Sequence, residues 1–398
     1  MIGILFWLCV LFVIYVYAGY PLLLGLLARL RPKPGAYASY TPVVTLIVAA
    51  YNEERVIGKK MENCVALDYP RDRLQILVMN DCSEDRTAEI VSGFAGQGVE
   101  LITAPQRRGK MANVIHAIQN LARGEVILIS DATNLYAPNV LRELSAPFAD
   151  PTVGAVFGAR DIVRGDGALG DSEGLYWKYE SFIQEQETRL GCSTGAFGDI
   201  FAIRRSLFET PPPRVINDDF FIAMRLVKRG YRVIYNPKAR TSERVSPTAQ
   251  DEVTRRARMI AGRYQAISMA GQLLPFDRPR LVWQVLSHKF FRPLVPFAMI
   301  GALLANVATL IWPPSAGNLD LIRLAPPFNW IFIVAQLLFY LLALVGQNLE
   351  RKNTLARMLY LPTFLVNSNL AALFGLYGFL TGKQSSLWKR VPRRDITQ

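Results

Sequence analysis

The chain has 398 residues, 51% of them apolar, yet it carries 45 basic and 32 acidic side chains, so apolar and charged material must be segregated along it. Its formal charge of +13 is spread out and flanks apolar runs, which argues for anionic lipid headgroups rather than nucleic acid as the counter-charge. Two histidines, His116 and His288, exclude an HExxH zinc site, and Cys9, Cys64, Cys82 and Cys192 show no CxxC spacing.

Residues 1–28 hold no charge and then meet Arg29, Arg31 and Lys33. Such a run exceeds the roughly 20 residues that cross a bilayer core. It lacks the basic leading region of a signal peptide. Residues 1–30 therefore read as a transmembrane helix, and the basic flank puts the central part of the chain on the cytoplasmic side.

From about residue 40 to 270 the composition is that of an ordinary soluble domain. VVTLIVAA, 43–50, is β-branched without polar alternation, as in a strand covered on both faces, and breaks at Tyr51-Asn52-Glu53-Glu54. A helix pattern over about 55–67 leads to a second strand, LQILVMN, 74–80, which ends at Asp81. Ser83-Glu84-Asp85-Arg86 reads as a capped helix start. A strand at 99–103, a helix over about 109–122 and a strand at 126–130, ending on Ser130-Asp131, continue the alternation. This pattern predicts an α/β fold with a mostly parallel sheet.

Ligands of such sheets bind beyond the carboxyl ends of the strands. Three of these ends carry acids or amides: Asn52-Glu53, Asp81 and Asp131. One alone is an ordinary turn former or helix cap, whereas three on one edge point to a site. It is not a dinucleotide site by motif, because no GxGxxG follows the first strand. QRRGKMA, 106–112, lacks the first glycine and the Ser/Thr of a phosphate loop.

Beyond the domain, residues 273–292 mix apolar and basic side chains, as in a segment lying in the membrane interface, with His288 as a headgroup or backbone partner. Uncharged runs at 293–319, 324–349 and 358–382 form a C-terminal membrane region, followed by a basic tail, 383–398. Arg351, Lys352 and Arg357 place their loop in the cytoplasm, as does the tail. A full crossing by 358–382 would put that tail outside, and Pro362, Asn367, Asn369 and Gly375 predict a broken, re-entrant or interfacial last segment.

VAAYNEE, VMNDCSEDRT, RRGKMANVIHAI, ISDATNLYAP, TGAFGDIFAIRRSLF and NDDFFIAMRLVKRGYRVIY resemble, in order and spacing, the family 2 glycosyltransferases over about residues 43–265. With the apolar flanks, the chain resembles the membrane-integrated branch that includes cellulose, hyaluronan and poly-N-acetylglucosamine synthases and ceramide glucosyltransferases. The resemblance implies a GT-A, Rossmann-like domain binding a nucleotide-sugar, by family habit a UDP-sugar. Asp81 would contact the base, and Asn52, Glu53 and Lys110 would line the nucleotide pocket.

Asp131 matches the first acid of the family's DxD element, which implies a divalent cation, Mg2+ or Mn2+. Thr133, a weaker ligand, replaces the second acid, with Asn134 beside it. Asn217-Asp218-Asp219 matches the element bearing the general base, assigned to Asp219 with Asp218 as the alternative. The plainer reading of either acid is a helix cap. Gly195, Ala196 and Phe197 fall in the acceptor loop. Arg255 and Arg258 match the QxxRW or RxxRW element, where Arg258 would neutralise the departing diphosphate and Met259 replaces the tryptophan. Tyr176, Trp177 and Tyr179 read either as sugar platforms or as core.

The expected activity is inverting sugar transfer to a growing polysaccharide at the bacterial inner membrane. Single transfer to a lipid is close behind, and Met259 favours it. A non-catalytic nucleotide sensor is a weaker rival, supported by Thr133 and opposed by Asp219 with Arg258. A transporter is weaker still, because the apolar spans carry no acid or base.

Overall fold

The computed structural model describes residues 1–31, 37–163, 167–243, 249–315, 317–346 and 354–382, with backbone alone at 167–172, 249, 252, 354–361 and 364. Eight strands pair in one sheet: β1 (Val44–Ala50), β2 (Leu74–Asn80), β3 (Val99–Thr103), β4 (Val126–Asp131), β5 (Leu135–Tyr136), β6 (Val153–Ile162), β7 (Phe201–Arg204) and β8 (Arg232–Glu243). Their order is β3-β2-β1-β4-β7-β6-β8-β5. The first four run parallel, as the β-branched runs predict. Beyond β4 the mostly parallel sheet takes in antiparallel pairings, because β7 pairs antiparallel with both β4 and β6, and β5 antiparallel with β8, while β6 and β8 pair parallel.

Side chains alternate between two buried faces. Leu46, Val48, Ile76, Val78 and Leu128 pack with Ile57, Met61 and Cys64 of α1 (Ile57–Val65). The other face, with Ile47, Leu77 and Ile127, is buried too, and α2 (Lys110–Asn120) packs on β1 and β2. Burying each such side chain contributes about 1.5–3 kcal/mol. The strands thus form a rigid platform with a fixed register. β6 and β8 shift register at Gly158, where a Cβ would lie 2.2 Å from the Ala239 carbonyl oxygen. Two more helices, α3 (Gly167–Arg189) and α4 (Asp218–Lys228), complete the site's supports.

The helices predicted over about 55–67 and 109–122 are shorter than their patterns, running Ile57–Val65 and Lys110–Asn120. Asp85, not Ser83, serves the helix start at Thr87, accepting the Thr87 amide at 3.0 Å. Ser83 instead accepts the Asn52 amide at 2.9 Å.

Contacts divide the chain into two compact units. One holds Gly25–Glu252 and Ser268–Val282 and contains the sheet; the other holds Met1–Leu24, Val253–Ile267 and Trp283–Lys383. Residues 253–267, expected in the soluble domain, therefore group with the apolar helices. They lie in α5 (Ala249–Ser268), where Arg256 donates to Ser368 at 2.9 Å and Tyr264 to the Pro293 carbonyl at 2.6 Å. Gly375 lies so close to α5 that a Cβ on it would be 2.8 Å from the Ala257 carbonyl oxygen.

Among the described residues, three helices are long and apolar enough to cross a membrane: Ile2–Arg29, Arg292–Ile311 and Phe328–Gly346. The expected span to 319 stops at Ile311, since Pro313-Pro314 cannot continue it. The expected break at Pro362 is absent: one helix runs Thr354–Leu380. A proline removes one intrahelical bond but does not end a helix held by neighbours, and Thr363 here donates to the Ala343 carbonyl at 2.9 Å. The predicted interfacial segment is also more enclosed than expected. Ser287, His288, Lys289 and Arg292 are buried, and Trp283 and Ser287 bond Tyr15 of the N-terminal helix at 2.8 and 2.7 Å. Arg351, Lys352 and the tail lie outside the described residues, as does the Arg357 side chain.

Candidate active site

The carboxyl ends of β1 and β2 turn through left-handed residues, Asn52 (φ 55°) and Cys82 (φ 60°), conformations that Asn tolerates better than most side chains. The two turns are cross-linked. The Asn52 Oδ1 accepts the Glu84 amide at 2.9 Å, and the Glu53 amide donates to Thr87 at 2.8 Å. The Asn52 amide group thus joins two loops, while Glu53 is half-buried beside it.

Asp81, expected at the nucleotide base, is buried with both oxygens engaged. Oδ1 accepts the Arg108 amide at 2.8 Å and Asn113 Nδ2 at 2.7 Å, and Oδ2 accepts the Gly109 amide at 2.9 Å. Gly109, at φ 92°, supplies a turn that a side chain would strain. In this arrangement Asp81 fixes the loop that starts α2. Above that loop the Arg107 guanidinium stacks 3.9 Å from the Tyr51 ring centroid.

The fixed loop aims Lys110. Its ammonium lies 2.5 Å from Asp131 Oδ1 and donates to the Gly198 carbonyl at 3.3 Å. Burial alone would lower its pKa, but the charges of Asp131, Asp218 and Asp219 outweigh that and raise it. Gly198 also faces the other acid, because its amide donates to Asp219 Oδ2 at 2.9 Å. Asp219 Oδ1 accepts the Phe220 amide at 2.7 Å, and Asp218 Oδ1 the Asp219 amide at 2.9 Å. Both acids therefore stand in the first turn of α4, each accepting the amide of the residue that follows it, while the N-cap position is Asn217. Even so, burial, with the like charge of Asp218, pushes Asp219 up to about 6 against the pull of the amides and Lys110. Gly198 is the shared contact, with its carbonyl on Lys110 and its amide on Asp219.

Asn134 is not a ligand in waiting. It is fully buried, its Oδ1 accepting from Lys60 and Ser130 at 3.3 Å each and its Nδ2 donating to the Asp199 carbonyl and to Thr241. Thr133 donates to Glu243 at 3.5 Å. Among the described residues, no three His, Cys, Asp or Glu side chains are grouped to hold a metal ion on their own. A hard cation bound through one carboxylate and the phosphates of a ligand needs no such group, and Asp131 with Thr133 fits that smaller role.

In the loop expected to take the acceptor, Gly195 packs on Gln184, and a Cβ there would lie 2.3 Å from Gln184 Nε2. Phe197 meets Phe157 and Trp177 edge-on, at 5.2 and 5.0 Å, and its ring, half-buried, packs on core aromatics. Trp177 is buried, which favours the core reading of that residue. Ala196 is half-buried. Arg255 and Arg258 stand on α5 in the helical unit, where Arg255 Nη1 lies 3.9 Å from the Met259 sulfur.

The sequence reading misses Asn113, Gly198, Asp199 and Arg160. Arg160 is a nearly buried guanidinium paired with Asp199 and stacked 4.5 Å from Trp177. Asn113 leaves a trace, three residues after Lys110 on the predicted helix, and Gly198 and Asp199 stand within the TGAFGDIFAIRRSLF run; Arg160 depends on strand pairings distant in sequence.

Residues 45–210 match the family described as Glycosyl transferase family 2. The chain carries a family 2 glycosyltransferase domain. A β-monoglucosyldiacylglycerol synthase of Synechocystis is 28% identical to it over 210 residues, covering 49% of this chain and 43% of that one. A poly-β-1,6-N-acetyl-D-glucosamine synthase of Staphylococcus aureus is 26% identical over 219 residues, covering 53% and 52%. The chain thus spans about half the length of these two relatives. A mannosyltransferase of Pyrobaculum calidifontis, solved with GDP-Man and Mn2+, superposes with a TM-score of 0.69 at 23% identity, covering 96% of this chain and all of that one. The likeness confirms the GT-A fold around the glycosyltransferase domain.

Proposed function

We propose that the protein transfers a sugar, with inversion, from a nucleoside-diphosphate sugar to a hydroxyl of a growing polysaccharide, on the cytoplasmic side of a bacterial inner membrane. The observation that carries this reading is the Gly198 contact, which sets a desolvated carboxylate, Asp219, beside an ammonium, Lys110, held on Asp131. A base near neutrality and a fixed positive charge are the two things an in-line sugar displacement needs.

Asp219 takes the proton of the acceptor hydroxyl as its oxygen attacks the anomeric carbon. The bond from that carbon to the diphosphate oxygen breaks, and the nucleoside diphosphate departs with the electron pair. Lys110 meets the charge that develops on it, and Arg258 is assigned the same task. Asp131, with the Thr133 hydroxyl, would hold a divalent cation, Mg2+ or Mn2+, which when bound supplies further positive charge to the diphosphate. The solved neighbour's Mn2+ supports the metal. The nucleotide pocket is assigned to the cross-linked turns with Asn52 and Glu53, and Asp81 keeps its loop in place there. Gly195, Ala196 and Phe197 are assigned to the acceptor.

The second reading is single transfer to a lipid acceptor. Met259, standing where a tryptophan would stack on an acceptor sugar, favours it, and so does the glycolipid-making relative. Purified protein in detergent, given a panel of UDP- and GDP-sugars with lipid or oligosaccharide acceptors, tests both. Extended chains support the first reading, and one-sugar lipid products the second. Failure to turn over any donor with any acceptor would refute both.

A further inference from the structure

We infer that Lys60 and Asn134 form a buried positioning pair that sets the site's two acids, Asp131 and Asp219, relative to each other. This rests on the proposed sugar transfer and goes beyond it, because both residues are fully buried and neither is assigned a substrate contact.

Lys60 is wholly buried, and a buried ammonium is costly unless its hydrogens are met. Here they are met unusually. Nζ donates to the Asn134 main-chain carbonyl at 2.8 Å and to its Oδ1 at 3.3 Å, and stands 3.9 Å over the Tyr136 ring centroid. Both acceptors are neutral oxygens of a single residue. Burial pulls the Lys60 pKa down, while the charges of Cys64, Asp131 and Asp199 pull the other way.

Asn134 is the hub on which three segments meet. It lies three residues after Asp131, in the turn from β4 to β5. Its Nδ2 reaches the Asp199 carbonyl at 2.9 Å and Thr241 of β8 at 2.8 Å. Tyr136 bonds the same Asp199 carbonyl through its hydroxyl at 2.7 Å. Asp199 follows Gly198, whose amide holds Asp219. A continuous path therefore runs from Lys60 through Asn134 to the Asp199 carbonyl, and from the adjoining Gly198 amide to the base. α1 braces the near end twice, since Asn63 also pairs with the Tyr136 main chain at 2.9 and 2.8 Å. Even as a neutral amine, Lys60 has N–H groups enough to donate to both Asn134 oxygens. An apolar residue at 60 would leave the carbonyl and amide oxygen of Asn134 short of a buried donor.

The pair should therefore govern the chemical step more than donor binding. Lys60→Met should lower kcat about thirtyfold, with the donor KM and the nucleoside-diphosphate Kd within about threefold. Asn134→Leu should do the same, and the double variant should be no worse than the poorer single one within about twofold, as expected for one coupled unit. Thr241→Val, a milder change, covers the case in which the others fail to fold; it should lower kcat about fivefold. Hydrogen exchange supplies a readout without activity: Lys60→Met should speed exchange in 131–136 and 197–199 together. Additive losses, parallel loss of nucleotide affinity, or faster exchange in only one of the two segments would overturn the pair. If wild-type protein transfers no sugar, the functional reading falls, and the exchange experiment still decides the inference.

Discussion

The turn after β2 buries an aspartate and the start of α4 holds one half-buried, and the two are used in opposite ways. Asp81 receives three donors, two of them backbone amides, and has no carboxylate among its partners. Asp219 receives two amides but has Asp218 beside it and little solvent, so its proton affinity is raised to about 6. The first arrangement holds a loop still, and the second leaves a group able to take and release a proton near neutrality. The number of donors and the sign of the nearest charge separate a strut from a base; burial alone does not.

Substitutions at these two places should differ accordingly. The largest effect is expected at the base: Asp219→Asn should lower transfer by about 10³-fold while nucleotide affinity stays within about threefold. Equal loss of both in a binding and turnover comparison would remove the assigned role. Lys110→Met should cost about 10²-fold in kcat/KM and, by stripping positive charge from around Asp219, move the acid limb of the rate profile to higher pH. A limb that stays put would show that Lys110 does not sense the base.

Asp81→Asn puts a donor against the Gly109 or Arg108 amide, at a stability cost of about 1–3 kcal/mol. Activity should fall about tenfold, mainly through donor KM, as read in a melting and kinetic comparison. The smallest effect concerns pH. Transfer should fall as pH drops through about 6, when Asp219 takes up its proton. Asp218→Asn removes the like charge and should move that limb down by up to about one pH unit. Because the folded-state value lies above the ordinary one, Asp219 favours the folded protein below about pH 4. That contribution, up to ~3 kcal/mol, is lost as pH rises through about 6. Asp219→Asn should flatten the stability profile over this range.

Much of the site was legible because β-branched runs ending in acids mark strand ends without reference to anything distant. β1 to β4 and the loops bearing Asp81, Lys110 and Asp131 follow from such runs. The antiparallel insertion of β7 between β4 and β6 does not, since it rests on pairings about 75 residues apart, such as Ile127 with Ile203. Lys60 was equally hidden. Beside Lys59 it reads as one more solvated charge, and only the fold shows that one of the two points inward. Asp81 stands on the strand edge where its sequence position puts it, but its donors come from backbone amides 27 and 28 residues later, which no side-chain pattern records.

A methyl group at position 198 would stand 3.3 Å from Asp219 Oδ2. That is tighter than ordinary packing, so a side chain at residue 198 requires the Asp219 carboxylate to give way by a few tenths of an ångström. On the proposed reading, the neighbouring half-buried positions, 196 and 197, can be varied to retune which acceptors are taken without pressing on that carboxylate.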